Sequence, residues 1–251
     1  MEQYCGKLYP LKKTYFYKEG TMHWKGRNLI KLKTLVSFFL CLFLGYVKLH
    51  ATHHKLLITG CGRSGTGYMS AILKKSGYDI LHERLGKEGL VSWPMAVNYI
   101  SSSEPSLNDS FEHTFHQVRH PLLVMTSWIH TVNNVRHPEW GFVRQHIPEI
   151  RLTDSLMVHC AKYWYYWNLL AEKKAEWRYR IEDLNQIFPE FMLRSGLILN
   201  ANALKEIPPN YNTWRFASHK LNWDHLEKSL PPDLYQNIRD MTVRYGYSLD
   251  E

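Results

Sequence analysis

The fold and the site of this chain are both decided by the stretch LLITGCGRSGTGY, which covers residues 56–68. A short apolar run there ends in a glycine-rich loop, and a helix-like segment follows with Met69, Ile72 and Leu73 on one face. A strand, a glycine-rich turn and a helix in this order let backbone N–H groups converge on an anion at the helix N-terminus. Arg63 adds a full positive charge and a forked donor geometry that suits oxyanions.

Segments with strand character alternate with amphipathic segments through the rest of the chain. The predicted strands are 56–59, 78–81, 113–118 and 177–181, and the predicted helices are 68–76, 121–130, 154–177, 224–230 and 234–245. This alternation predicts an α/β fold of three layers (α/β/α) with a mainly parallel central sheet. We expect Thr153 or Asp154 to cap the long helix and Asp183 to cap the helix after the last strand.

The N-terminal part of the chain differs from the rest in charge and hydropathy. The formal net charge is +8, most of it carried by residues 1–33, whereas the body is nearly neutral. This distribution argues against a nucleic-acid partner and predicts a basic, poorly ordered, cytosolic tail. Residues 34–47 are an uncharged apolar stretch, although a full membrane span needs about 20 residues.

We therefore expect a transmembrane or signal-anchor helix at 34–47, a solvated connector at 50–54 (HATHH), and a folded domain at 52–251. A buried helix, a cleaved signal and a different translation start stay open as alternatives. The anchor would make the protein a single-pass membrane protein whose domain faces a lumen, that of the Golgi in a eukaryote. A cytoplasmic location is the alternative. The four cysteines are scattered, so they indicate neither a disulfide framework nor a zinc site.

The loop matches one familiar phosphate-binding pattern only in part. Gly60 and Gly65 have the spacing of the nucleoside triphosphatase P-loop, GxxxxGK[ST]. Thr66 stands where the lysine that reaches the β- and γ-phosphates is needed, and Gly67 replaces the Mg²⁺-binding hydroxyl. The sequence therefore disfavours ATP hydrolysis.

The loop instead resembles the 5′-phosphosulfate loop of sulfotransferases that use 3′-phosphoadenosine 5′-phosphosulfate (PAPS), which is roughly [KR]-S-G-T-[TSG]-[WYLF] after a strand. Gly67 stands where that family commonly has threonine. The resemblance implies a P-loop-type nucleotide-binding fold, no metal, and a loop that holds the donor substrate PAPS. It implies donor binding by Gly62, Arg63, Ser64, Gly65, Thr66, Gly67 and Tyr68.

A second anion site is required because PAPS also carries a 3′-phosphate. Residues 115–127 resemble the 3′-phosphate element of the family, with a strand, Arg119, a proline two residues later and Ser127 eight residues after the arginine. Arg119 is expected to pair with the phosphate and Ser127 to donate its hydroxyl. The tetrapeptide VRHP recurs at residues 135–138 without a preceding strand, and we expect a surface loop there.

A third element, RIEDL at residues 180–184, resembles the [RY]-Y-E-D-[LM] pattern of the family. Ile181 replaces the tyrosine that commonly touches the adenine, so that role is not carried over. A strand that ends in an Asp-capped helix is an equal interpretation of Glu182 and Asp183. Arg215, Ser218 and Lys220 lie where the family often returns a late loop to the 3′-phosphate.

The part of the site that would bind the acceptor carries fewer sequence motifs than the donor site. Residues 82–93, HERLGKEGLVSW, follow the second predicted strand and resemble a stretch of a subset of sulfotransferase-like proteins. His82 and Glu83 are the candidate general bases, with Arg63 offsetting charge on the leaving phosphate. An ion-paired loop with Arg84 or Lys87 is the alternative. The aromatic run at residues 163–167 is expected to pack in the core rather than to form a carbohydrate platform.

The resemblance thus implies an enzyme that transfers a sulfuryl group from PAPS to a hydroxyl or amine of a small molecule or glycan. One alternative is a nucleotide-dependent phosphotransferase. The other is a catalytically silent, membrane-tethered module that keeps the nucleotide loop.

Overall fold

The computed structural model describes residues 35–37, 53–99, 110–208, 211 and 221–250. The chain divides into two compact units, Met1–Leu49 and His50–Glu251. Residues 35–37 are helical, and within the described ranges no helix is long and apolar enough to cross a membrane. The predicted basic tail at 1–33, and all but three residues of the predicted anchor at 34–47, lie outside the described residues.

The second unit is built on a sheet of five strands. They are β1 (His53–Gly60), β2 (Ile80–His82), β3 (Gly89–Val91), β4 (Ser110–Val118) and β5 (Trp177–Arg180). Their order across the sheet is β2-β3-β1-β4-β5, and every neighbouring pair is parallel. All carboxyl ends of the strands therefore lie at one edge of the sheet, where open α/β sheets bind ligands.

Helices cover both faces of this sheet. They are α1 (Thr66–Lys75), α2 (Pro121–Thr131), α3 (Pro138–His146), α4 (Leu156–Glu172), α5 (Leu184–Ser195), α6 (Ala201–Glu206), α7 (Trp223–Ser229) and α8 (Pro232–Arg244). One buried core joins the sheet to α1, α5 and α6, and another is formed with α2, α3, α4, α7 and α8. The predicted three-layer α/β fold with a parallel central sheet is confirmed. The finer expectation of a P-loop-type fold stays a prediction.

The central strand β1 shows why the sequence folds in this way. Leu56, Leu57 and Ile58 are all buried, as expected for a strand with helices on both of its faces. Gly60 ends the strand beside the neighbouring strand β4, and a Cβ atom there would lie 2.1 Å from the carbonyl oxygen of Gln117. Only glycine fits at this close approach of two backbones.

Several predicted elements differ from the observed ones. The short strand β3 was not predicted, because three residues give no periodicity and β3 is held by pairing with both β1 and β2. Residues 53 and 54, predicted as part of a connector, belong to β1. The His54 ring is buried there and forms a hydrogen bond with the Lys87 carbonyl. The second VRHP copy, predicted as a loop, leads into α3 at Pro138.

Of the two predicted helix caps, that of α4 is wrong and that of α5 is confirmed in position only. The cap of α4 is Ser155, whose hydroxyl accepts a hydrogen bond from the Val158 N–H, whereas Asp154 pairs with Lys162 at 2.7 Å. Asp183 does stand at the N-cap position of α5 but makes no capping hydrogen bond, because its carboxylate pairs with Arg180. In both cases a nearby cation competes with the helix N–H groups for the aspartate.

The aromatic run of α4 packs largely as predicted. Tyr163, Trp164 and Trp167 are fully buried in the core, and Tyr165 and Tyr166 are partly buried against it.

Candidate active site

The two predicted anion-binding arginines come from neighbouring strands. Arg63 follows β1 and Arg119 follows β4, and these strands are paired up to Gly60 and Gln117. Both arginines therefore emerge at the carboxyl edge of the sheet. They line one cleft of about 610 Å³, a volume within the range of ligand-binding pockets.

The loop between β1 and α1 adopts a conformation that few residues tolerate. Gly65 has φ 85° and Arg63 has φ 71°, both in the left-handed region. That region is open to glycine but costs about 1–3 kcal/mol for other residues, and such strain clusters at functional sites. Helix α1 starts directly after Gly65 without a side-chain cap. Its first turn therefore presents N–H groups that can serve an anion.

Buried aromatic side chains hold this loop on both sides of Gly62. The Gly62 N–H donates to the hydroxyl of Tyr163 at 2.8 Å, and the Trp128 indole N–H donates to the Gly62 carbonyl at 3.1 Å. Burial raises the pKa of Tyr163, so its phenol is neutral at pH 7. Helices α2 and α4 thus fix the backbone just before Arg63.

A polar side chain of β4 holds the next part of the loop. The Gln117 amide donates to the Ser64 carbonyl at 2.6 Å, and Tyr179 in turn donates to the Gln117 oxygen at 2.6 Å. The Ser64 side chain is fully buried and does not line the cleft. Ser64 therefore takes part in shaping the loop.

The two arginines contact each other, and neither guanidinium group has a carboxylate within ion-pair distance among the described residues. The Arg63 Nε donates to the Ser127 hydroxyl at 2.8 Å, and the Arg119 Nη1 donates to the Arg63 carbonyl at 3.2 Å. Among the described residues, neither arginine forms an ion pair within 4.0 Å. Burial lowers the pKa of both. Carboxylates of the cleft that lie beyond 4.0 Å offset part of this burial. Partly buried cations without a direct ion pair are costly, and a bound anion would offset the rest of that cost.

The candidate bases reach the same cleft from the end of β2. His82 is the last residue of that strand, and its Nε2 lies 3.0 Å from the Thr66 hydroxyl and 3.7 Å from the Glu83 carboxylate. Burial lowers the pKa of His82, Glu83 raises it and Arg63 lowers it further, with a net decrease. The imidazole is therefore neutral at pH 7 and able to accept a proton. Glu83 has φ 54°, a further left-handed residue at this edge.

The structure brings all of the predicted site residues to this cleft except Ser64. Those that line it are Gly62, Arg63, Gly65, Thr66, Gly67, Tyr68, His82, Glu83, Arg119 and Ser127. Two motifs separated by more than fifty residues, and the candidate bases between them, thus share one site. The late-loop residues Arg215, Ser218 and Lys220 lie outside the described residues.

Sequence reasoning missed several other residues of the cleft. Trp93 and Trp128 form part of its wall, and Glu139 enters it from the start of α3. Trp93 follows β3 by two residues, so the strand, had it been predicted, would have placed this side chain at the same edge. No sequence pattern pointed to Glu139 as a site residue, because it follows the second VRHP copy, which was predicted to be a surface loop.

The third predicted element also borders the cleft. Ile181 and Glu182 line it, and Ile181 lies so close to the loop that a Cβ atom on Gly65 would meet it at 3.2 Å. The Glu182 carboxylate accepts from the His120 N–H at 3.0 Å and from the Tyr247 hydroxyl at 2.8 Å. Glu182 therefore connects the Arg119 turn to the C-terminal segment.

Comparison of the chain with protein-family models, with curated proteins and with solved structures finds no match.

Proposed function

We propose that this protein is a sulfotransferase that transfers a sulfuryl group from PAPS to a hydroxyl or amine acceptor. The observation that carries the proposal is the pair of guanidinium groups of Arg63 and Arg119, which share one cleft and have no carboxylate within ion-pair distance among the described residues. A donor with two separate anionic groups requires such a pair. The resemblance of both arginine motifs to those of PAPS-dependent enzymes gives the donor its identity.

The loop and the start of α1 would hold the 5′-phosphosulfate group. Arg63 and the N–H groups of the first helical turn supply the positive charge there, and Arg119 would take the 3′-phosphate with Ser127. Ser127 already accepts a hydrogen bond from Arg63. Its hydroxyl thus couples the two anion sites and can donate its own proton to a phosphate oxygen.

The reaction is an in-line displacement at sulfur. A bond forms between the acceptor oxygen or nitrogen and sulfur, the bond from sulfur to the bridging phosphate oxygen breaks, and adenosine 3′,5′-bisphosphate leaves with the electron pair. The acceptor proton passes to His82 or Glu83, which stand at the cleft. Arg63 offsets the negative charge that grows on the leaving phosphate.

A nucleotide-dependent phosphotransferase is less well supported. Thr66 occupies the position of the lysine that such enzymes use, and none of the lysines in the described residues lines the cleft. A silent binding module would keep the bisphosphate site and lose only the transfer reaction. Attachment to a membrane through residues 34–47 stays a prediction.

Thermal unfolding of the full chain with adenosine 3′,5′-bisphosphate and with Mg-ATP tests the donor site. We expect the bisphosphate to raise the melting temperature more than Mg-ATP does, and Arg63→Ala to abolish the difference. Arg136→Ala, at an exposed arginine of the second VRHP copy, is the matched control and should retain it. Preference for Mg-ATP would overturn the proposal.

Transfer of labelled sulfate to a panel of glycans, peptides and small alcohols tests catalysis and separates the two candidate bases. Loss of the general base lowers such rates about 10²- to 10⁴-fold. We expect a loss of this size in either His82→Asn or Glu83→Gln, with bisphosphate binding retained in both.

If His82 is the base, the rate falls with acidification only below the ordinary imidazole pKa, because burial lowers the pKa of His82. Unchanged rates in both variants would remove this pair from the mechanism.

A further inference from the structure

A second, shallow groove runs away from the cleft along helix α1. It has a volume of about 460 Å³ and shares Gly67, His82 and Tyr211 with the cleft. The groove therefore starts beside the candidate base and the anion loop. An acceptor lying in it would have one end at the reacting centre.

One face of α1 forms the wall of this groove. Ser70 and Ala71 lie three and four residues after Gly67, and Lys74 lies four and three residues after them, which places all of them on one face of the helix. The small residues lie near the cleft, and Lys74 and Lys75 lie at the far end. Lys74 is seven residues after Gly67, which corresponds to about 10 Å of helix rise.

The charge of the groove differs from that of the cleft. The cleft is lined by Glu83, Glu139 and Glu182 as well as by the two arginines, whereas none of the described residues that line the groove is acidic. Lys75 pairs with Glu206 at 2.7 Å. Lys74 is exposed and has no ion-pair partner within 4.0 Å among the described residues. The far end of the groove thus carries an available positive charge.

We infer that the groove binds the acceptor, and that the acceptor is an extended molecule with a carboxylate or sulfate group about 10 Å from the atom that receives the sulfuryl group. This inference rests on the proposed function, since it takes the cleft as the donor site. The small residues of α1 leave room for the body of the acceptor, and Lys74 attracts its anionic group.

Lysines in the last turn of a helix also favour the helix dipole, and the experiment has to separate this role from binding. Lys228 is a matched control because it is exposed and lies in the last turn of α7, outside the residues that line the groove. Lys74→Glu and Lys228→Glu remove the same kind of dipole interaction, whereas only Lys74→Glu changes the groove.

The test is fluorescence anisotropy of a labelled oligogalacturonate with the full chain saturated by adenosine 3′,5′-bisphosphate, which occupies the arginine sites. The carboxyl-reduced oligomer is the uncharged match. We expect the carboxylate form to bind more tightly and Lys74→Glu to weaken it about fivefold, as for an exposed charge pair. Lys228→Glu should have no effect on binding.

Each outcome bears on one of the two proposals. If the bisphosphate does not stabilise the chain, the proposed function fails and the groove inference falls with it. If the bisphosphate binds but the carboxylate oligomer binds no better than the reduced one, or not at all, the groove inference alone is overturned. The same conclusion follows if both glutamate variants weaken binding equally.

Discussion

The tetrapeptide VRHP occurs twice in this chain, at residues 118–121 and 135–138, and the two copies fold alike. In each, the histidine is the N-cap of a helix and the proline is its first residue. The backbone angles of His120 (φ −49°, ψ 130°) and His137 (φ −56°, ψ 139°) are nearly the same. The local sequence thus sets the local backbone, because proline fixes its own φ and restricts the residue before it.

The two arginines nevertheless have different surroundings. Arg119 follows β4, a strand paired on both sides within the sheet, and lines the cleft. Arg136 lies in a turn, is exposed, and its backbone N–H donates to the Asn134 side chain. The comparison shows that the strand before the tetrapeptide decides whether its arginine reaches the cleft. The tetrapeptide itself is only a helix start.

The sharpest test of this comparison is to remove each arginine in turn. Arg119→Ala deletes a partly buried guanidinium, and we expect it to weaken adenosine 3′,5′-bisphosphate binding by about 2 kcal/mol or more, about 30-fold. Arg136→Ala should leave the affinity within about twofold. Isothermal titration calorimetry of the full chain measures both. Equal losses of affinity in the two variants would mean that Arg119 contributes no more to bisphosphate binding than Arg136 does.

Acid should destabilise the strand that precedes the first copy. His116 in β4 is fully buried, and burial lowers its pKa to about 4. An unfolded histidine titrates near 6.5, so stability is complete above that pH and is lost as the pH falls towards 4, by about 3 kcal/mol in all. Urea unfolding between pH 4 and 7.5 measures this loss.

The variant that isolates this effect is His116→Gln. It should flatten the pH dependence of stability by about one proton. A slope that His116→Gln does not alter would show that other groups cause the acid sensitivity.

The two copies also differ in what holds their backbone. Glu182 accepts from the His120 N–H and from Tyr247, so Glu182→Ala leaves two donors without an acceptor and should cost about 1–2 kcal/mol of stability. Glu139→Ala, beside the second copy, should stay within about 0.5 kcal/mol. Urea unfolding at pH 7 compares them. A loss as large in Glu139→Ala would contradict the assigned role of Glu182.

The smallest difference is expected at the prolines. Pro138 is exposed and Pro121 is buried. Replacement by alanine should cost about 0.5 kcal/mol at Pro138, through the entropy of the unfolded chain, and about 1 kcal/mol at Pro121, where packing is also lost. The melting temperatures of the two variants test this order. A larger fall in melting temperature at Pro138 than at Pro121 would show that the backbone of the first copy is fixed by the residues around it and not by its proline.

The parts of the fold that could be predicted are those encoded by neighbouring residues. Gly65 permits the left-handed backbone that the β1–α1 loop requires (φ 85°), and the proline two residues after Arg119 fixes its own φ at the start of α2. The order of strands and helices follows from them. The placement of Arg63 and Arg119 in one cleft then follows from the rule that parallel strands end at one edge.

The parts that could not be predicted depend on residues far apart in the chain. Strand β3 exists because β1 and β2 pair with it on either side. Tyr163 reaches Gly62 across 101 residues, and no local pattern separates it from the other aromatics of α4. Asp154 pairs with Lys162 and does not cap α4. Asp183 stands at the N-cap of α5 as predicted, but its carboxylate pairs with Arg180.

The hydrogen bonds of Tyr163 and Trp128 to Gly62 have a consequence for affinity. Two helices hold the loop backbone at Gly62, so the donor proposed above would bind without the entropic cost of ordering that part of the loop. Under this proposal, a change of ligand preference comes from side chains at the rim of the loop, such as Arg63, and not from the backbone at Gly62.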